Sequence, residues 1–362
     1  AFMAAHGGHA LAGDVRFLQA ENLFLLNQLA PAKEAYDAFI ASSGEHSSLP
    51  AAKFRVVQIH HAVGRWDECL ALAVPMLADP PEDKVFAQLP FIVGDAHFRK
   101  ESWSEAVKGL EFFLASRVRD GKVTPDPNVD TALMQLAVAY DRLDEKEKAL
   151  GQLEILTGSY PEPSVHLPLA LAEQGRLGFE GGNLKLARTA LEQFLAEDKK
   201  DAEPFKKGAE AQRPRVLYYL AWVDATEKKH GDAAKRFGTV VKLAPDHPLA
   251  PDAALQQGIA WVDCEEFEAA AKHFPETLKR YPKHEKLARL VFYSGLALAR
   301  LEQWDQARPY FKRVAEQHAD SEFAEQALYE WAWCERRSKK NDQAVQLYEK
   351  LLANHDGSPL AV

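Results

Sequence analysis

Gly258-Ile259-Ala260-Trp261-Val262-Asp263-Cys264-Glu265-Glu266-Phe267-Glu268-Ala269-Ala270-Ala271-Lys272-His273-Phe274-Pro275-Glu276-Thr277-Leu278-Lys279-Arg280-Tyr281-Pro282 is the stretch from which the rest of the chain can be read. Its frame is a small residue (Gly258), an alanine twelve positions on (Ala270), an aromatic four beyond that (Phe274), and a closing proline. The frame returns every 37 residues as Ala233/Phe237, Ala307/Phe311 and Ala344/Tyr348, with Ala221, Gly295 and Ala332 in the small slot. Residues four apart share a helical face, and a small residue on the neighbouring helix lets two backbones approach. A fixed period of this length predicts an all-α solenoid of helical hairpins, each burying its apolar face on its neighbours. Such a chain presents a surface rather than enclosing a pocket.

Extended upstream, the frame places helix-B anchors at Ala35, Cys69, Ala106, Ala149 and Ala187, ahead of the four regular ones. That predicts nine hairpins over residues 14–359, at intervals of 34, 37, 43, 38, 46, 37, 37 and 37 residues. In the fourth hairpin Leu133, Leu136, Ala137 and Tyr140, then Ala149, Leu153 and Leu156, form one apolar stripe per helix. Pro161, Pro245 and Pro282 end their B helices, because proline lacks the N–H and clashes with the preceding turn. The first hairpin has Leu23 in the small slot, and the second has Val57 there with Ala73 in the aromatic slot, as expected of an atypical cap. Residues 1–13 read as a disordered lead-in, and Leu360-Ala361-Val362 as the start of a further hairpin, so the chain is expected to continue. The extra residues of the long intervals fall at 116–130, a loop around Asp126-Pro127-Asn128, and at 197–213, a loop or short exposed helix.

With Gly258, Trp261, Ala270, Phe274 and Pro282 in place, the pattern resembles the tetratricopeptide repeat over nearly the whole chain. The resemblance implies a right-handed superhelical solenoid whose concave wall is lined by helix A and takes a protein or peptide. The junction Pro245-Asp246-His247-Pro248-Leu249-Ala250-Pro251-Asp252-Ala253 is similar to inter-repeat segments of bacterial envelope members, such as the outer-membrane assembly lipoprotein and the Tol–Pal-associated coordinator. Variants of it are Tyr281-Pro282-Lys283-His284, His318-Ala319-Asp320-Ser321 and His355-Asp356-Gly357-Ser358-Pro359. This implies a periplasmic or cell-envelope setting, with the cytoplasm as the alternative.

The totals narrow the function further. Hydrophobic content of 47% with 27% charged residues describes a folded chain, and a net charge of −9 argues against nucleic-acid or anionic-membrane binding. No apolar run reaches the ~18 residues of a spanning helix. Ala1-Phe2-Met3-Ala4-Ala5-His6-Gly7-Gly8-His9 shows no signal-peptide pattern and reads as a vector scar or an internal cut. Cys69, Cys264 and Cys334 form no CxxC pair and fall on packed helix positions, as inert thiols do. Phosphate-binding, metalloprotease and nucleophile-elbow motifs are absent, and Glu180-Gly181-Gly182-Asn183 reads as a turn between helices A and B. His60 and His61 point to different faces, while Asp144/Glu145/Glu147 and Asp263/Glu265/Glu266 read as helix starts. No cofactor, metal or catalytic residue is expected.

The specific expectation concerns the helix-A wall. Its aromatics are Phe91, Phe98, Phe179, Tyr218, Trp222, Phe292, Tyr329 and Trp333; its cations are Arg99, Arg142, Arg176, Arg215, Arg289, Arg300, Arg336 and Arg337. Arginine with tyrosine and tryptophan is the composition of interface hot spots, and it suits a partner with an acidic segment. No asparagine lies on these faces from the third hairpin to the ninth, which weighs against a chaperone-tail carboxylate clamp. Two other readings stay open: a recognition segment of a larger enzyme or secretion machine, and a homo-oligomer that fills its own groove.

Overall fold

The computed structural model describes residues 11–354 apart from 43, 81–82 and 162. Eighteen α-helices follow one another there as nine hairpins. The first four are α1 (Ala12–Leu25) with α2 (Leu29–Ser42), α3 (Leu49–Ala62) with α4 (Trp66–Ala78), α5 (Leu89–Arg99) with α6 (Trp103–Leu114), and α7 (Val129–Arg142) with α8 (Lys146–Glu154). Next come α9 (Leu167–Glu180) with α10 (Leu184–Asp198) and α11 (Phe205–Thr226) with α12 (His230–Leu243). The last three are α13 (Ala250–Asp263) with α14 (Phe267–Arg280), α15 (Leu287–Arg300) with α16 (Trp304–Gln317), and α17 (Ala324–Arg337) with α18 (Asn341–Asn354). Most of the expected lead-in, with His6 and His9, and the start of a further hairpin lie outside the described residues. The chain divides into two compact units, Ala1–Glu173 with Glu203–Phe205 and Gln174–Ala202 with Lys206–Val362. In each unit consecutive helices pack on one another, and neighbouring A helices also touch (α3 with α5, α5 with α7, α13 with α15, α15 with α17), which makes helix A the closely packed side.

Every A–B turn is built the same way. Asn27, Gly64, Glu101, Asp144, Gly182, Lys228, Glu265, Glu302 and Lys339 all have positive φ, between 56° and 76°. The residue after each donates its backbone N–H to the carbonyl five residues back, as in Gln28 to Leu23 at 2.9 Å, Asn183 to Gly178 at 2.8 Å and Lys340 to Glu335 at 2.9 Å. That 6→1 bond with a left-handed residue is the Schellman closure, which satisfies carbonyls that the end of helix A leaves free. The helix-B anchor always lies five residues beyond the left-handed one, so the turn sets the rotation at which helix B leaves.

This regularity corrects the first anchor. Counting five from Asn27 gives Ala32, not Ala35, and both Ala32 and its i+4 partner Tyr36 are fully buried. The small slot of that hairpin is therefore the buried Ala20 rather than Leu23, and the first interval is 37 residues. The second hairpin keeps volume by exchange, because Val57 and Ala73, both fully buried, swap the large and small roles. Elsewhere the large side chain of helix B sits over the small residue of helix A. A Cβ built on Gly258 would lie 2.3 Å from the Phe274 ring, and one on Gly175 would lie 2.3 Å from the Leu191 side chain.

The two insertions differ in form. Residues 116–130 hold a two-stranded hairpin, Val118–Arg119 with Lys122–Val123, turned by Asp120-Gly121 at φ 50° and 70°. An Asp-Gly pair with two positive φ values matches the right-handed twist of the strands. Arg117 fastens the insertion by donating to Asp126 at 2.7 Å and to the Phe113 carbonyl at 2.9 Å. The second insertion is helical. Pro214 occupies the slot in which Pro251 opens α13, and the extra residues extend α11 upstream through it. Arg213 clamps this extension to Asp198 at 2.6 and 2.8 Å.

Three substitutions test the packing and the turn separately. Gly258→Leu is expected to cost about 1–3 kcal/mol through overpacking on Phe274, whereas Gly151→Ala, with open space around its Cβ, is expected to gain about 0.5–1 kcal/mol of helix propensity. Gly182→Ala also meets nothing within 4 Å, yet at φ 76° it is expected to cost roughly 1 kcal/mol. Denaturant unfolding followed by far-UV circular dichroism checks all three, and equal midpoints would show that the hairpin register is wrong.

Candidate functional site

Helix A supplies both the core and the exposed wall, and the position along it decides which. Fifteen residues before the anchor the side chain lies against helix B: Phe91 packs on Phe113 with ring centroids 5.4 Å apart and is 6% exposed. Phe292, at the same slot, stacks on Phe323 at 5.1 Å and is 2% exposed. These two residues belong to the core, not to a groove. Tyr218 and Tyr329 share the slot but remain half-buried. Tyr218 donates to Asp252 at 2.7 Å, and burial followed by that carboxylate holds its hydroxyl well above the usual tyrosine range. Tyr329 lies 6.0 Å from the Tyr348 ring. One turn further along, Trp222 and Trp333 are half-buried; Trp222 packs edge-on against Phe237 at 5.7 Å, and Arg336 lies over the Trp333 ring at 5.4 Å.

The arginines also sort by position. Arg99, Arg142, Arg300 and Arg337 are the last residues of α5, α7, α15 and α17, and all four are exposed. A cation there complements the negative end of the helix dipole, so part of the sequence pattern has a structural cause. Arg99 donates to Asp95 at 3.2 Å, and Arg337 reaches Glu302 at 3.5 Å and lies over Trp304. Arg176 is shielded and paired with Glu180 at 2.8 Å, while Arg289 donates to Glu322 at 2.8 Å and lies over Phe323.

In the first unit the helix-A face carries a polar network gathered on one carboxylate. Asp95, buried, accepts from Gln135, from Arg99 and from His61 at 2.7 Å. Burial pushes its carboxyl up, but these partners outweigh burial and hold it below the ordinary value. His60 turns the other way, into the core, where burial lowers its pKa, in keeping with the two faces read from the sequence. In the second unit the network runs between hairpins. Asp224, buried, accepts from Arg188 of α10 at 2.7 Å and Arg236 of α12 at 2.6 Å, and Glu335 pairs with Arg308 of α16 at 2.8 Å. Sequence reasoning missed this set, although Asp224 and Glu335 each lie nine residues before their anchor, and Arg188 and Arg308 each lie one residue after the preceding anchor.

Glu330 is the exception. It is 9% exposed, and burial raises its carboxyl pKa, with Arg300 opposing. The carboxyl therefore favours its neutral form more than an exposed glutamate does. Among the described residues no group of His, Cys, Asp and Glu could hold a metal, and no helix is long and apolar enough to cross a membrane. Cys69 and Cys334 are buried, and burial pushes both thiols up to about 12.

Comparison with known proteins agrees with this architecture. Tetratricopeptide-repeat profiles match residues 294–359 and 131–163. No curated protein matches the chain. Among solved structures, the C-terminal part of a TPR repeat-containing protein from Cytophaga hutchinsonii superposes with a TM-score of 0.52 at 15% identity, over 74% of this chain and 96% of that one. MamA from Desulfovibrio magneticus gives a TM-score of 0.43 at 16% identity over 53% and 98%, and the Cut9–Hcn1 assembly of the APC/C gives 0.41 at 15% over 95% and 57%. The repeat frame, the nine like turns and the two matched profiles together describe an all-α repeat solenoid that carries tetratricopeptide repeats at residues 131–163 and 294–359.

Proposed function

We propose that the chain is a non-catalytic scaffold that captures an acidic peptide or helix of a protein partner on the helix-A side of α15 and α17. One observation carries the reading. Arg300, Arg336 and Arg337 are exposed at one end of consecutive A helices, beside the half-buried Tyr329 and Trp333, in a chain of net charge −9. Among the described residues, the one ion pair made by the three is the 3.5 Å contact of Arg337 with Glu302. Guanidinium forks bind carboxylates bidentately, and the flat indole and phenol rings add contact area at low entropic cost. Tyr218, Trp222 and Arg289 would extend the same face along the second unit; Arg99 and Arg142 would offer the equivalent positions in the first. The resemblance of the inter-repeat junctions supports placing this capture in a bacterial envelope assembly.

The test is a fluorescein-labelled Glu/Asp-rich peptide titrated against the wild type and the Arg300→Gln/Arg336→Gln/Arg337→Gln variant. Affinity is expected to fall on the order of tenfold, about 1.4 kcal/mol, and to weaken with salt, while the helical signal is retained. Unchanged affinity in the variant would sink the assignment.

A pH effect follows from Glu330. Its pKa is raised in the folded state, so the unfolded chain releases the proton first. Stability is then lost as pH rises from the ordinary glutamate value through the raised one. Glu330→Gln is therefore expected to raise the melting temperature at pH 7 and to make no difference at pH 3, as read by thermal melts at both values.

A further inference from the structure

We infer that the opposite, helix-B side of the first unit carries a second docking surface, for an amphipathic helix with acidic flanks, centred on Phe112. This residue is 59% exposed, although its slot, six beyond the anchor, is charged in the last three hairpins as Glu276, Arg313 and Lys350. Two cavities adjoin it. One, of about 420 Å³, lies between α4 and α6 and is lined by Val74, Leu77, Val93 and Gly109. The other, of about 520 Å³, shares Leu77 and Phe112 with the first and continues over Phe86 and Leu89 to Arg119 of the β-hairpin.

The groove is deep for a reason that side chains cannot undo. A Cβ on Gly109 would lie 2.7 Å from the Gly94 Cα, so α5 and α6 are in backbone contact and the floor cannot be filled from position 109. Val74, 44% exposed, forms the far rim. Exposed Phe112 and Val74 form an apolar patch rimmed by polar residues, and two adjacent cavities separated by an aromatic suit two apolar side chains on one face of a helix.

Charge decides the occupant. Lys84, Lys108 and Arg119 rim the cavities, are exposed, and make no ion pair among the described residues. Arg117, by contrast, is committed to Asp126. On the acidic side stand Glu105 and Asp83, and the Asp83 carboxylate already accepts from the Val85 N–H at 3.0 Å. A basic rim on an acidic chain favours glutamate or aspartate beside the apolar anchors. The insertion at 116–130 thus supplies one wall of the surface.

The experiment uses the full chain and three synthetic peptides of about 15 residues, a length at which a helix is marginal alone and stabilised by docking. One carries leucines at i, i+3 and i+7 flanked by glutamates, one has lysines in place of the glutamates, and one has alanines in place of the leucines. The Leu/Glu peptide is expected to bind and to shift the NMR signals of Val74, Leu77 and Val93. Binding should weaken at least tenfold in Phe112→Ser and in Lys84→Glu/Lys108→Glu/Arg119→Glu, whose melts should stay close to the wild type. In the Arg300→Gln/Arg336→Gln/Arg337→Gln variant the peptide should shift the Val74, Leu77 and Val93 signals at the same concentrations as in the wild type, which separates this surface from the helix-A wall. Equal binding of the lysine or alanine peptide, no binding of any peptide, or affinity unmoved by Phe112→Ser overturns the inference. Concentration-dependent light scattering that Phe112→Ser abolishes would assign the surface to a second copy of the chain and overturn it equally.

Discussion

The contact on which the fold depends is a large side chain of helix B resting on a residue of helix A that has almost no side chain. Phe274 over Gly258, Phe311 over Gly295, Leu191 over Gly175 and Leu110 over Gly94 are the same interaction in different letters. Two α-helices approach closely only where one of them gives up volume. The alanines at 20, 137, 221 and 332 do so less completely than glycine but in the same slot. The exchange of Val57 with Ala73 shows that the constraint is on summed volume and not on which helix carries it. Phe237 and Phe274, fully buried by this arrangement, then provide the surface on which the half-buried aromatics of helix A stand.

Polar groups fix what packing leaves free. The turn closure sets the angle between the two helices of a hairpin, and the buried acids set one hairpin against the next. Asp224 holds Arg188 and Arg236 from two successive B helices, so its loss would leave two guanidinium groups without a shared partner. Such pairs are weak evidence for stability, because desolvation offsets the Coulombic gain. Their value here is in register: a carboxylate that satisfies donors from both sides tolerates one alignment of the stack. The first unit meets the same need differently, with Asp95 gathering an imidazole, an amide and a guanidinium.

The fold was legible because its signal is repeated. The alanine-aromatic spacing of the last four hairpins carries upstream as Ala106/Leu110, Ala149/Leu153 and Ala187/Leu191, and prolines follow the ends of several B helices. Ala35 misled because Ala32 and Ala35 are both alanines three apart on the same face, and only the left-handed Asn27 separates them. The wall was less legible for a related reason. Positions fifteen and eleven before the anchor differ by one helical turn, so periodicity gives them the same face. Whether Phe91 or Phe292 is covered depends on the facing ring from helix B, which the spacing does not report. The ion pairs between hairpins were invisible because each joins residues 27 to 36 apart, with no local pattern to betray them.

The unequal repeat lengths have a consequence for how such a chain can change. From left-handed residue to anchor the count never varies, whereas the stretch joining one hairpin to the next holds a β-hairpin in one place and an extended helix in another. One residue added between turn and anchor would swing every side chain of helix B by about 100° around its axis. The same residue added at a joint moves nothing that is packed. Novelty therefore enters this molecule at its seams, and whatever is inserted there arrives on the surface already positioned by two rigid neighbours.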